Sequence, residues 1–195
     1  LLVLDAGTGQ TKWQVDRDEI PSWSTPLVVE HKGVTQLIVN ATGRVTGYDL
    51  ADGRVIWECG GQTVNVIPSP IAANGVVYCL SGFKGFAAYA ISLDSKGDLT
   101  DSDRFIWHHG RATPYVPSPL LYGDLLFFNR ANAPILSCLN ATTGEPLADG
   151  RRMPELTSLY ASPVGAADRV YFVGRKGTTL VLKNQPAMEI LAVNR

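Results

Sequence analysis

The ten residues from Leu4 to Trp13, L-D-A-G-T-G-Q-T-K-W, return 44 positions later as Tyr48 to Trp57, Y-D-L-A-D-G-R-V-I-W. Asp5, Gly9 and Trp13 align with Asp49, Gly53 and Trp57. A third copy runs from Leu139 to Ala148; it keeps the glycine at Gly144 and loses the tryptophan. Around the second copy, Arg44–Leu50 alternates with period 2 and Arg54–Cys59 follows the pair Asp52-Gly53. That pattern predicts two strands joined by a tight Asp-Gly turn, whose central residues need positive φ. A hairpin recurring at a fixed spacing restricts the chain to architectures built from stacked, equivalent units.

A second series has the same rhythm. Thr25-Pro26, Ser69-Pro70, Ser118-Pro119 and Ser162-Pro163 are spaced by 44, 49 and 44 residues. Proline is tolerated at the first position of a strand, where its missing N–H need not enter the ladder. Each pair opens an apolar run, a turn and a second apolar run: Leu27–Glu30 and Gln36–Asn40, Ile71–Ala73 and Val76–Ser81, Leu120–Tyr122 and Leu125–Asn129, Val164–Ala166 and Val170–Gly174. Third strands follow at Arg44–Leu50, Gly85–Ile91, Pro134–Asn140 and Thr178–Lys183. Fourth strands follow at Arg54–Cys59, Arg104–His109, weakly at Glu145–Ala148, and at Glu189–Val193. A loop at Ser92–Asp103 accounts for the longer spacing.

Repeated four-stranded units of about 40–50 residues are the mark of an all-β propeller, in which each unit is one antiparallel blade. The expected blades are 1–15 (the end of one), 24–59, 68–110, 117–152 and 161–195, in a single domain. Propellers close with about four to eight blades. The chain opens and ends inside strands, so the expectation is an arc of a seven- or eight-bladed ring, partnered by further blades of a longer chain. Closure of four blades, with residues 1–15 strapped onto the last, is the other arrangement.

Charge is nearly balanced, 17 basic against 18 acidic residues, which argues against a general nucleic-acid binder. No 18-residue apolar run exists, so no transmembrane helix is expected. Cys59, Cys79 and Cys138 form no C-x-x-C pair and sit in apolar runs, which predicts buried thiols. His108 and His109 are adjacent in a strand and therefore point to opposite faces, away from a shared metal. Gly7-x-Gly9 lies in a hairpin with no helix behind it to present N–H groups to a phosphate. Asp98-x-x-Asp101-x-Asp103 lacks the glycine and the terminal glutamate of a calcium loop and reads as a solvated segment. No metal or catalytic residue is assigned.

The motifs Asp5-x-x-Thr8-Gly9-x-x-x-Trp13 and Asp49-x-x-Asp52-Gly53-x-x-x-Trp57 resemble the tryptophan-docking repeat of pyrroloquinoline-quinone-like propellers, and the resemblance spans essentially the whole chain. It implies that Trp13, Trp57 and Trp107 pack between neighbouring blades, with Ala148 and Leu191 as degenerate counterparts. The family includes quinoprotein dehydrogenases and cofactor-free relatives, among them the propeller lipoprotein of bacterial outer-membrane assembly. A dehydrogenase of this kind would use pyrroloquinoline quinone and Ca²⁺ held by Glu, Asn and Asp, often beneath an adjacent Cys-Cys pair. This chain has no such pair. No cofactor is therefore expected, and the enzyme reading stays as the alternative, beside a sensor domain of a signalling protein.

The candidate site is one end of the propeller. The loop between the second and third strands of each unit carries a basic residue: Arg44, Lys84, Arg130, and Arg175 with Lys176. These are expected to form a cationic rim. The segments leading into the innermost strands share that face and bring Trp23, Tyr115 and Tyr160. The expected function is non-catalytic recognition of a protein or an extended ligand. The family resemblance adds an extracytoplasmic location, in the periplasm of a bacterial envelope.

Overall fold

A computed structural model describes residues 1–195. It is all strand and turn. The first sheet pairs β1 (Leu2–Leu4) with β2 (Thr11–Gln14). The second begins at one edge with β3 (Leu27–His31), followed by β4 (Val34–Asn40), β5 (Arg44–Asp49) and β6 (Val55–Gly60), and a fifth strand from later in the chain lies beyond β6. The third contains β7 (Ile71–Ala73), β8 (Val76–Ser81) and β9 (Ala87–Ser92). After it comes β10 (Gly97–Asp98), and the third sheet is then completed by β11 (Trp107–His109). The fourth runs β12 (Leu120–Tyr122), β13 (Leu125–Asn129), β14 (Ile135–Asn140) and β15 (Pro146–Arg152). The fifth runs β16 (Val164–Ala166), β17 (Arg169–Val173), β18 (Thr179–Lys183) and β19 (Ile190–Asn194). Each meanders antiparallel, as blades of a propeller do.

The core lies between sheets. Leu1, Val3, Trp13 and Val15 pack on Leu37, Val39, Ala41 and Tyr48 of the second sheet. Ile38, Val45 and Trp57 meet Val77, Cys79 and Ile91 of the third. Tyr78, Leu80 and Trp107 meet Leu126, Phe128 and Leu139 of the fourth. Phe127, Leu136 and Cys138 meet Val170, Phe172 and Leu180 of the fifth. No hydrogen bond joins the first sheet to the last, and residues 1–15 pack on the second sheet rather than strapping the fifth.

The serine-proline anchors have a role that proline alone does not explain. The Thr25 N–H donates to the Ser69 hydroxyl at 3.2 Å, the Ser69 N–H to Ser118 at 3.0 Å, and the Ser118 N–H to Ser162 at 2.9 Å. Each hydroxyl therefore ties the innermost strand of one sheet to the start of its neighbour.

The repeated hairpin differs from its expected form. Its turn is a four-residue loop: the Asp49 N–H donates to the Arg54 carbonyl and the Gly53 N–H to the Asp49 carbonyl. Asp5 and Asn140 make the same pair of bonds with Gln10 and Gly9, and with Glu145 and Gly144. Gly53 has positive φ and Asp52 does not, which excludes the two-residue turn, where both would need it. The side chains explain the longer loop. Oδ1 of Asp5, Asp49 and Asn140 accepts backbone N–H groups two and, for Asp5 and Asn140, also three residues ahead.

The tryptophans connect these turns. The Trp13 indole N–H donates to the Leu50 carbonyl at 2.8 Å, and that of Trp107 to the Ala141 carbonyl at 2.8 Å. Each ring covers a turn glycine of the next sheet: a Cβ on Gly53 would lie 2.7 Å from the Trp13 ring, and one on Gly144 2.7 Å from the Trp107 ring. Trp57 is different. It lies on Gly47 of its own sheet and donates to the Gln36 side-chain carbonyl at 2.9 Å, while the Gln36 amide donates onward to the Leu93 carbonyl at 2.7 Å. Gln36 thus relays a contact that the other two indoles make directly.

The extra loop at Ser92–Asp103 covers an edge, while its Asp98, Asp101 and Asp103 stay exposed. Within it β10 pairs in parallel with β6, Leu99 is buried, and the Leu99 N–H donates to the Glu58 carbonyl at 2.8 Å. Leu93, Leu99 and Phe105 close over Cys59. An edge strand leaves unpaired backbone groups, and this excursion satisfies those of β6. The fourth sheet also ends in a longer strand than expected, reaching Arg152.

Replacing Trp57 by Ala should cost about 3–5 kcal/mol through loss of a fully buried aromatic side chain. Gln36→Leu should cost about 1–3 kcal/mol, because both the indole N–H and the Leu93 carbonyl lose their partners. Urea unfolding followed by circular dichroism measures both, and an unchanged midpoint for Gln36→Leu would remove the relay from the account.

Candidate binding face

In a four-stranded meander, the loop between strands two and three lies at the same end as the segments leaving strand four and leading to the next strand one. Backbone bonds fasten these pieces together. The Trp23 N–H donates to Val66 at 2.7 Å, Tyr115 to Ala131 at 3.1 Å, Leu159 to Asn132 at 2.9 Å, and Arg175 to Ser158 at 3.1 Å. The candidate aromatic and basic residues therefore share one end of the sheets. The turn residues Asp5, Gly9, Asp49 and Gly53 sit at the other.

Asn65 organises the aromatic part. Its side-chain carbonyl accepts the Trp23 indole N–H at 2.7 Å, and its amide donates to the Tyr115 hydroxyl at 2.7 Å. Its own backbone is left-handed, φ 56°, a conformation asparagine tolerates better than most residues, and its N–H donates to the Thr42 hydroxyl. One side chain thus spans segments leading to three different sheets. Trp23 remains 66 % exposed and Tyr160 48 % exposed. Tyr115 is half-buried, stacked on Phe83 at 4.7 Å between ring centroids.

Three of the cations sit over rings. The Lys84 ammonium is 5.6 Å from the Phe83 centroid, the Arg130 guanidinium 5.6 Å from Phe86, and the Arg175 guanidinium 4.5 Å from Tyr160. Such contacts hold a long side chain in place without neutralising it. Lys84, Arg130, Arg175 and Lys176 are exposed and carry no ion pair.

Arg44 departs from the expected rim. Its Nε donates to Glu19 at 2.7 Å, its NH2 to Asp18, and its NH1 lies 3.8 Å from Glu58. The Glu19 hydrogen bond, reinforced by Asp18, holds its pKa above the usual value. The chain has filled this cation with its own carboxylates, so the unpaired series begins at Lys84.

Neither Asn65 nor the rings Phe83 and Phe86 stood out in the sequence as site residues. The available signal was an asparagine in a connecting segment, where left-handed backbone is common, and aromatics flanking Lys84.

The remaining chemistry is closed. Burial pushes the Cys59 thiol up to about 11 and the Cys138 thiol up to about 12, and raises that of Cys79 as well. The thiols are buried on β6, β8 and β14. Burial lowers the pKa of His108, which packs on Tyr89, and of His109, which faces Phe128. No three His, Cys, Asp or Glu side chains gather as metal ligands, and Asp98 accepts the Thr100 N–H. No helix is long and apolar enough to cross a membrane.

Asn65→Ala should release Trp23 and Tyr115 together, red-shifting Trp23 emission and costing about 1–2 kcal/mol; the difference spectrum between chains with and without Trp23→Phe provides the fluorescence reading. Iodoacetamide near pH 8 should leave all three cysteines unmodified in the folded chain and alkylate all three in urea, as mass spectrometry would report.

Comparison with known proteins agrees with this geometry. The family model of the outer membrane protein assembly factor BamB matches residues 1–190. BamB from Moraxella catarrhalis superposes with a TM-score of 0.67 at 19 % identity, covering 100 % of this chain and 57 % of that one. The quinohemoprotein alcohol dehydrogenase from Comamonas testosteroni gives 0.68 at 13 % identity, covering 100 % and 40 %. The computationally designed Ika4 protein gives 0.64 at 13 % identity, covering 91 % and 100 %. At these identities the likenesses show the fold alone, and the chain spans little over half of the Moraxella protein. No curated protein matches the chain in sequence. With four-stranded antiparallel blades packed face to face and a family match over nearly its whole length, the chain belongs to the family of the outer membrane protein assembly factor BamB.

Proposed function

We propose that this chain is a binding and scaffold propeller of the bacterial cell envelope, acting outside the cytoplasm, and that it recognises a protein partner through the end bearing Trp23, Tyr115, Tyr160, Lys84, Arg130, Arg175 and Lys176. The observation that carries this reading is the Asn65 bridge. It holds aromatic side chains from separate sheets in fixed positions while Trp23 stays 66 % exposed. Rigid aromatic groups beside arginines are the common anchors of protein interfaces, because little conformational entropy is lost when they bind. The family match supports the envelope setting and a role in assembly.

The fixed, exposed aromatic and cationic end favours this reading over a dehydrogenase, whose adjacent Cys-Cys pair has no counterpart in this sequence. In the full-length protein, a photo-crosslinking residue at Trp23 or Tyr160 should capture a specific envelope protein. The same residue at Asp52 or Asp168, on the opposite end, should not. Equal capture at both ends would sink the proposal. So would dye-coupled oxidation of an alcohol or sugar on addition of pyrroloquinoline quinone and Ca²⁺.

A further inference from the structure

Arg44 shows what the cations of this face take. It stands where Lys84, Arg130 and Arg175 stand in the next three sheets, at the junction of the second and third strands. There the passing segment Asp16-Arg17-Asp18-Glu19 delivers two consecutive carboxylates to one guanidinium. The next three cations have no such segment. Each has an aromatic ring on one side, and each is exposed and without a carboxylate partner.

We infer that Lys84, Arg130 and Arg175 form a continuous docking track for an acidic, extended peptide segment, whose carboxylates do in successive sheets what Asp18 and Glu19 do on Arg44. The inference rests on the binding role proposed above and names the chemistry of its partner.

A cleft of about 350 Å³ beside Arg130 shows how one carboxylate would seat. Phe86 and Ile135 supply apolar walls, and Arg111 and Arg130 supply guanidinium groups. Asp149 already satisfies Arg111, at 2.9 Å, which leaves the Arg130 fork without an anion. Arginine presents a planar fork that matches a carboxylate in bidentate fashion, and a neighbouring apolar wall strengthens the pairing by excluding water. Arg152, exposed at the end of β15 and paired with Ile135 in the register, adds to the field on that side of the sheet. The chain as a whole carries a formal charge of −1, so this positive end comes from placement and not from excess.

Alternating rings and cations also suit single-stranded nucleic acid. The Arg44 precedent favours carboxylates, because the anions that the chain itself supplies there are Asp18 and Glu19.

The test uses the full-length protein and three fluorescein-labelled probes: an extended peptide of Asp-Glu pairs spaced by Gly-Ser, its Asn-Gln counterpart, and oligo-dT of equal charge. Anisotropy should show binding of the acidic peptide that weakens as salt rises, and no binding of the Asn-Gln peptide. Arg130→Glu with Arg175→Glu should reduce affinity about tenfold or more, with the thermal midpoint confirming that the variant folds. Lys96→Glu, at the opposite end, should leave it unchanged. Asp18→Asn with Glu19→Gln should free Arg44 and raise affinity by about threefold, extending the track by one sheet. Equal binding of the Asn-Gln peptide, tighter binding of oligo-dT, or insensitivity to the Arg130 and Arg175 reversals would overturn the inference. Specific crosslinks at Trp23 and Tyr160 without acidic-peptide binding would overturn it and leave the binding role standing; failure of both would remove both.

Discussion

An indole of one sheet lying on a turn glycine of the next is the contact on which this series of sheets depends. It needs several things at once. The glycine must adopt positive φ, and it must lack the Cβ that would otherwise strike the ring, as at Gly53 beneath Trp13 and Gly144 beneath Trp107. The Asp or Asn that starts the turn must hold the loop open with its side-chain oxygen. The indole N–H then reaches the carbonyl just after that residue, so a large aromatic is buried with its one polar atom satisfied. Removing any one element loosens the others, which explains why a turn glycine stands wherever an indole of the preceding sheet covers it, at Gly53 and at Gly144.

Where the pattern is interrupted, the chain substitutes other chemistry. At the third sheet the turn is replaced by the excursion that forms β10, and Gln36 carries the hydrogen bond that Trp57 cannot make directly. At the fifth sheet no tryptophan is present. There the Tyr122 ring lies where a Cβ on Gly165 would sit, and the Tyr122 hydroxyl accepts the Asp168 N–H at 2.9 Å. A large ring over a glycine is thus kept, moved from the outer to the inner part of the sheet.

The two ends of the sheets have consequently separated their tasks. One end is occupied by capped turns and by rings that hold neighbours together. The other carries the connecting segments, fastened by backbone bonds and by Asn65, with aromatic groups and cations left facing outward. A rigid scaffold with recognition residues on its loops is the usual division in repeat architectures. Here Trp23 is held on the second end by the Asn65 side chain and the Val66 carbonyl, and Tyr160 lies against Arg175.

The strands and their grouping were legible in the sequence because period-2 alternation, turn glycines and the serine-proline pairs are local signals repeated at one spacing. Tertiary structure alone decided what depends on partners distant in the chain. β10 joins β6, some forty residues upstream, because an unpaired edge strand was available to cover. Arg44 is neutralised because the segment carrying Asp18 and Glu19 happens to cross it. Asn65 and Phe83 become site residues because the approach segments of three sheets converge on them. The sequence by itself determined a propeller of four-stranded blades and the end at which its basic loops would gather. Which of those cations stay free was settled by packing, because a charge's availability depends on what lies beside it in space and not on its place in the repeat.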